Sequence, residues 1–392
     1  MIRFLCLVMF TGLFKVTFPQ TPSTYLMGKT TGVLPYIEYG LGSDRLGGAK
    51  IGFLDTGIVI KVADSTQANY KVQLSRDHFA YLQKNHFQKD SNTRLSPYYL
   101  TNSWLVYGDE KYDYVSVGLD EKLPYKSIQQ IDPCRIVVDI MGATSNTNWI
   151  TQRSTAKEIK NAYYEQVEDD VFRVFIELKH EQHWGYSISY EGKKLVIKVK
   201  RQPPDLSLAK LKIAIDAGHG GDNSGAAGVT SNIQEKKYTL LIAKELEKEL
   251  LLENATVFMT RTKDTSLSMP ERIAMLKKED PDFLVSIHLN SSNRDSVKGV
   301  STYYRYIGFR PLSAYILESM VDLGLKEFGN VGGFNFSLNG PTDYPNCLVE
   351  VAFLSNKEDE QLILDPAFHI AVACQTTEGI KKWLASCKEK KE

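Results

Sequence analysis

The sequence predicts a multidomain protein: an α/β domain at the C-terminal end, a mostly parallel sheet with helices on both faces, preceded by all-β domains. Three observations predict it. Before residue 200 the apolar runs are short, alternate with polar residues and are separated by turn residues. After residue 210 strand-like runs alternate with stretches of helical periodicity. Between the two patterns stands Arg201-Gln202-Pro203-Pro204-Asp205, whose paired prolines continue neither.

The elements follow in order. Arg3 precedes an apolar stretch from Phe4 to Phe14, and Pro19-Gln20-Thr21-Pro22-Ser23 follows it. A bilayer-spanning helix needs about 20 residues, so residues 1–22 are expected to be a secretory signal peptide and the protein to be exported. In the β region Tyr70-Lys71-Val72-Gln73-Leu74 alternates strictly, as does Tyr114-Val115-Ser116-Val117-Gly118-Leu119. Arg135–Ile140, Val171–Leu178 and Lys194–Val199 are further strands. In the α/β region the expected strands are Leu211–Asp216, Thr256–Thr260, Phe283–Ile287 and Cys347–Val351. The expected helices are Lys236–Leu252, Met269–Lys277, Pro311–Phe328 and Pro366–Leu384.

Composition bounds the function. The chain has 392 residues, 43% hydrophobic, enough for two or three cores at roughly 100–200 residues per domain. Lys+Arg and Asp+Glu both number 47, so there is no general electrostatic case for nucleic acid. Cys134, Cys347, Cys374 and Cys387 are far apart without a C-x-x-C pair, and buried thiols are expected.

Two histidines stand at expected strand ends: His219 in Ala217-Gly218-His219-Gly220-Gly221, and His288 before Leu289-Asn290. Sites in open α/β sheets form beyond the carboxyl ends of strands. A catalytic zinc commonly takes three protein ligands and one water, and Glu235, at the start of a helix, offers the third. Glu350, inside an apolar strand, is placed to move the proton. Each residue alone also has a structural reading. The glycine-rich loop lacks both the Walker lysine and the dinucleotide fingerprint. His78, His86, His180, His183 and His369 are assigned structural roles.

The matching blocks give a resemblance. Ile215–Gly221, Glu235-Lys236, Met259-Thr260-Arg261, Arg272, Val285–Asn290 and Leu348–Asn356 resemble, in order, the zinc-dependent type 3 N-acetylmuramoyl-L-alanine amidases. The resemblance implies a catalytic domain over 211–386, with His219, Glu235 and His288 as Zn2+ ligands and Glu350 as catalytic residue. It also implies peptidoglycan as substrate and a zinc-bound water as nucleophile. Asn290, Arg261 and Ser286 are candidates for orienting substrate or loops, and core packing and capping explain them equally well. Ala217 stands where the family usually has proline and Ala352 where it usually has glycine; neither removes a ligand. The stretch Tyr303–Pro311 is too short for the inserted blocking helix some members carry, so an open cleft is expected. Upstream, 99–201 resembles an amidase N-terminal (AMIN) β-sandwich and 35–95 a bacterial SH3-like barrel, with 202–210 as linker. The resemblance implies an envelope ligand for these β domains and a location in the periplasm or cell envelope. Two rivals stay open: a catalytically silent wall-binding protein, and a zinc hydrolase acting on another amide.

Overall fold

The computed structural model describes residues 25–388 except 44–45, 94–95 and 97. The expected signal peptide, residues 1–22, lies outside the described residues. No helix among the described residues is long and apolar enough to cross a membrane.

The first segment folds into a seven-stranded antiparallel sheet. Its order is Lys50–Phe53, Tyr36–Glu38, Phe79–Gln83, Asn69–Gln73, Val59–Ser65, Leu26–Thr30 and Phe87–Lys89. The second segment forms two sheets. One orders Tyr125–Ile131, Cys134–Met141, Val171–Leu178 and Ile159–Glu168; the other is centred on Tyr99–Gly108, Tyr112–Leu119 and Lys194–Lys200. The residues that alternate inward close a core between them, with the Trp104 ring 5.7 Å from that of Phe172 on the opposite sheet. Ile37, Ile58 and Leu82 of the first segment belong to the same apolar core, so the two segments share one interior.

The third segment has six strands: β1 (Lys212–Ala217), β2 (Thr256–Met259), β3 (Phe283–Asn290), β4 (Val300–Tyr303), β5 (Glu327–Val331) and β6 (Asn346–Phe353). They lie in the order β2-β1-β3-β6-β4-β5, and only β4 against β6 is antiparallel. Five helices accompany them: α1 (Glu235–Leu252), α2 (Met269–Glu279), α3 (Arg310–Val321), α4 (Lys357–Leu364) and α5 (Pro366–Ser386). Alternate residues of a strand face opposite sides. Ile213, Ile215, Val285 and Ile287 meet α1, α3 and α5 on one face; Ala214 and Leu284 meet Ile273 and Leu276 of α2 on the other.

Local sequence sets the helix ends. Ser268 and Glu271 form a capping box at α2, with Pro270 in the first turn. The Asn356 side chain accepts the amides of Glu358 and Asp359 at the start of α4. One expected helix is corrected: Pro311–Phe328 ends at Val321. Gly324, at φ +77°, takes the left-handed turn that stops a helix, and Glu327–Val331 becomes the edge strand β5. The thiols are a second correction. Cys347 is buried, but Cys134 and Cys387 are only partly covered, each at the edge of a core, and Cys374 is partly covered beside Glu249.

The segment read as a linker, 202–210, is fastened along its length. Leu206 and Leu208 are buried in the third segment's core, and Gln202 accepts a hydrogen bond from Trp184 at 3.1 Å. Trp184 in turn packs 5.2 Å from Trp383 of α5, whose indole donates to Gln182 at 3.0 Å.

Helices α3 and α5 touch where α5 carries Gly379. A Cβ there would lie 2.6 Å from Ile316 Cα and 2.8 Å from the Tyr315 carbonyl oxygen. Gly379→Ala gains about 1 kcal/mol of helix propensity. Forcing packed backbones apart typically costs about 1–3 kcal/mol, and this clash is with backbone, so it outweighs the gain. The variant should unfold at lower urea concentration than the parent; a higher midpoint would contradict this account of the helix contact.

Candidate metal centre

The site begins with a buried ion pair beneath the end of β1. Asp216 is fully buried. It receives Arg272 at 2.5 Å, the Thr260 hydroxyl at 2.7 Å and the Ser286 hydroxyl at 2.7 Å. Burial pushes its carboxyl pKa up, but Arg272 and the hydroxyl donors hold it below the usual carboxylate value. The same Arg272 donates to the carbonyls of Ala217 and His219. Arg261 donates to the carbonyls of Ala217, Gly218 and Lys236 at 2.9, 2.8 and 2.7 Å. Two guanidinium groups therefore grip three successive carbonyls from behind, and His219 is held at φ +61°, a region a β-carbon disfavours.

From that loop His219 reaches forward. Glu235 comes from the first turn of α1 and His288 from β3. One carboxylate oxygen, Glu235 Oε1, lies 3.0 Å from His219 Nε2 and 3.1 Å from His288 Nδ1. A ligand atom from each residue lies within 4.8 Å of the other two. Glu235 Oε1 also accepts the Leu289 amide at 3.0 Å, and Oε2 accepts the Ala226 amide at 2.8 Å. Burial raises the Glu235 pKa, but hydrogen bonds from the two histidines outweigh it and hold the group ionised far below the ordinary range. Burial lowers the His219 pKa, and the hydrogen bond and charge of Glu235, together with the Asn223 hydrogen bond, outweigh it and leave the pKa raised.

The glycines around the histidines act through space as well as φ. A Cβ on Gly218 would sit 2.4 Å from the His288 ring, and one on Gly225, itself at φ +68°, 2.4 Å from Glu235 Oε2. Two imidazoles and a carboxylate converging in this way fit a divalent transition metal, and zinc first, since this donor set is one of those used by catalytic zinc. His219 Nδ1 faces Asn223 Oδ1 at 2.9 Å. With the proton on Nδ1, Nε2 presents a lone pair to the centre. Asn223 was not singled out from the sequence; its place four residues after His219 in a glycine-rich loop is the only signal it left.

Glu350 lies beside the group. It pairs in register with His288 across the parallel strands β3 and β6, so both side chains leave the same face about 4.8 Å apart along the sheet. Asn290 ends β3, half-buried, with its amide 3.3 Å from the Tyr303 hydroxyl. Arg261 and Ser286 are different. Both are buried behind the loop and hydrogen-bonded there, so they hold the site and do not face its cleft. The remaining histidines sit elsewhere: His183 faces the Gln130 carbonyl oxygen and His369 that of Ile363.

Residues 213–382 match the N-acetylmuramoyl-L-alanine amidase family, and residues 105–199 match the AMIN domain. The C-terminal half of the chain belongs to this amidase family. A probable cell wall amidase, LytH, of Staphylococcus epidermidis is 32% identical over 190 residues, 47% of this chain and 64% of that one. LytH of Staphylococcus aureus is 31% identical over 175 residues, 44% of this chain and 58% of that protein. The chain thus spans less than two thirds of the length of these relatives. Among solved structures, the N-acetylmuramoyl-L-alanine amidase of Clostridium difficile 630 is 31% identical, covering 45% of this chain and 97% of that one at a TM-score of 0.44. The catalytic domain of the amidase CwlV from Bacillus (Paenibacillus) polymyxa var. colistinus is also 31% identical, at 45% and 98% coverage and a TM-score of 0.43.

The amidase loop between Asp222 and Gln234 is tied down by one more buried carboxylate. Glu360 of α4 receives the amides of Thr230 and Ser231 at 2.8 and 2.9 Å, and both hydroxyls. Burial raises its pKa, but the Ser231 and Thr230 hydrogen bonds prevail and hold it at about 2, below the ordinary 4.5. A depressed folded-state pKa contributes stability above the unfolded value, and that contribution disappears as pH falls from 4.5 towards 2. Glu360→Gln should flatten the pH dependence of unfolding in that window and weaken metal retention; an unchanged acid limb would contradict it. Arg272→Met, which strands Asp216, should cost about 3–5 kcal/mol in denaturant unfolding.

Proposed function

We propose that this protein is an N-acetylmuramoyl-L-alanine amidase, hydrolysing the amide between the lactyl group of N-acetylmuramic acid and L-alanine in peptidoglycan. The observation that carries the reading is the single Glu235 oxygen shared by His219 and His288, with Glu350 in register beside His288. The family match over residues 213–382 supports the substrate class.

His219, Glu235 and His288 would hold Zn2+. Bound there, zinc supplies a Lewis acid that polarises an amide carbonyl and makes water acidic near neutral pH. The chain supplies the rest. Asn223 fixes the His219 tautomer, and the Ala226 and Leu289 amides fix both oxygens of Glu235. Glu350 takes a proton from the attacking water and gives it to the departing amine nitrogen. Asn290, at the mouth of the strand ends, contacts substrate. The β segments ahead of the catalytic domain, an AMIN sandwich over 99–201 and an SH3-like unit over 35–95, bind a cell-envelope ligand. The enzyme is exported to the periplasm or envelope. Residues 304–309, which join β4 to α3 through one 3-10 turn, leave the cleft open without a partner.

Digestion of purified peptidoglycan, followed by mass spectrometry, tests the reading. Wild type should release free stem peptides from sacculi with no added partner, and a chelator should abolish release. Glu350→Gln should lower the rate about 10²–10⁴-fold while keeping the wild-type zinc content. Equal release by both proteins would rule the mechanism out. Products cut elsewhere in the stem would rule out the bond.

A further inference from the structure

The connection between β5 and β6 carries Phe334, Asn335 and Phe336, which face two ways. Phe336 sets its ring 5.4 Å from that of His288, edge to face. Phe334 lies 6.2 Å from Phe336 and 4.5 Å from Tyr303, whose hydroxyl reaches Asn290. These rings make a half-buried aromatic wall from the metal centre to the end of β3. Asn335 turns the other way, into the N-terminal sheet. Its Nδ2 donates to the carbonyls of Leu46 at 3.1 Å and Gly48 at 2.7 Å, and its Oδ1 accepts the Lys50 amide at 3.3 Å. Arg305 donates to the Lys50 carbonyl from the same side. Leu34 and Phe53 of the N-terminal sheet pack into the cluster that holds Phe336 and Leu338.

The wall needs such a hold. Gly332 and Gly333 precede it, both exposed, with Gly333 at φ +67°. Glycine loses more conformational freedom on ordering than any other residue. On the side towards β4, the Phe334 amide donates to the Tyr304 carbonyl at 3.1 Å. The N-terminal sheet supplies the side-chain hydrogen bonds that fix the next residue.

We propose that Asn335 is a positioning residue through which residues 46–50, the loop that enters strand Lys50–Phe53 of the N-terminal sheet, hold the Phe334–Phe336 wall beside His288 as one side of the substrate cleft. The N-terminal sheet thereby completes the cleft in addition to any ligand it binds itself. The proposal rests on the amidase reading for its kinetic test, but not for its structural one.

The full chain is assayed on a soluble muropeptide as wild type, Asn335→Ala, Asn335→Asp, Phe336→Ala and Asn335→Ala/Phe336→Ala. Asn335→Asp keeps the side chain's volume and removes its donors. Asn335→Asp, which loses two hydrogen bonds, should lose about tenfold in kcat/KM, through KM, and Asn335→Ala, which loses all three, at least as much. The double variant should lose less than the product of the two single losses, because Asn335 acts in part through that ring. Amides of residues 332–340 should exchange faster with solvent in Asn335→Ala at unchanged global unfolding. Wild-type KM and exchange in both Asn335 variants would overturn the proposal, and so would losses that multiply in the double variant. A wild type with no activity would overturn the amidase reading instead, and the exchange data would still decide this one.

Discussion

The buried pair of Asp216 and Arg272 is the constraint on which the site depends. A histidine at φ +61° sits in strained backbone, at a cost of order 1–3 kcal/mol. Such a residue persists only where its surroundings over-determine it. Arg272 does this from inside the protein, because one guanidinium joins the Asp216 carboxylate to the carbonyls on either side of Gly218. Stranding a buried charge costs about 3–5 kcal/mol, more than the strain that the pair holds in place. The loop is therefore set by a larger penalty than the one it carries, and the fold alone aims the imidazole.

The same arrangement recurs at a smaller scale around the cleft. Glu360 gathers four donors from Thr230 and Ser231. Asp359, its neighbour on α4, accepts the amides of Gly299 and Phe353 at 2.8 and 2.9 Å. Buried carboxylates with backbone partners replace hydrophobic packing where loops must cross at the carboxyl end of the sheet. Irregular backbone there has amides with no strand to pair with, and an acceptor-only group satisfies two or more at once. The metal group follows the same logic, with Glu235 accepting amides on both oxygens while facing two imidazoles.

The four residues assigned to chemistry were legible because each is tied to a local pattern. His219 and His288 follow apolar strands, Glu235 opens an amphipathic helix, and Glu350 interrupts a strand otherwise apolar. The parallel register of β3 and β6 then sets Glu350 beside His288, and the loop after β1 and the first turn of α1 bring His219 and Glu235 to them. What stayed hidden was non-local. Asn335 bonds to carbonyls about 285 positions earlier, and backbone carbonyls leave no mark on a sequence. Arg261 stood open between orienting substrate or loops and packing, and only the fold shows its donors spent on backbone behind the loop. Strand β4 escaped because Ser301 and Thr302 are polar yet buried, paired with β6 and bonded to α3. Strand β5 escaped because Leu325, Phe328 and Val331 recur every third residue past Gly324, a spacing that reads as helix and not as an alternating strand.

The prolines between residues 202 and 205 read as a linker between domains, yet the geometry around them argues for a single body. The first two segments share an apolar interior, so neither can turn without opening it. The second is locked to the third by the packed rings of Trp184 and Trp383 and by Lys200, buried, at 3.1 Å from Asp280. A fourth connection is polar. Gln129 accepts the Gly308 amide at 2.8 Å, and a Cβ at Gly308 would strike His183 at 2.4 Å. Gly308 lies in the short connection between β4 and α3, on the catalytic segment. Side chains of the AMIN sandwich therefore meet the backbone of that connection directly, and no residue larger than glycine fits there without moving them. The β segments and the catalytic sheet thus keep a fixed orientation. A ligand held by the former would present its next bond to the cleft at a set distance, which raises its effective concentration without any added contact.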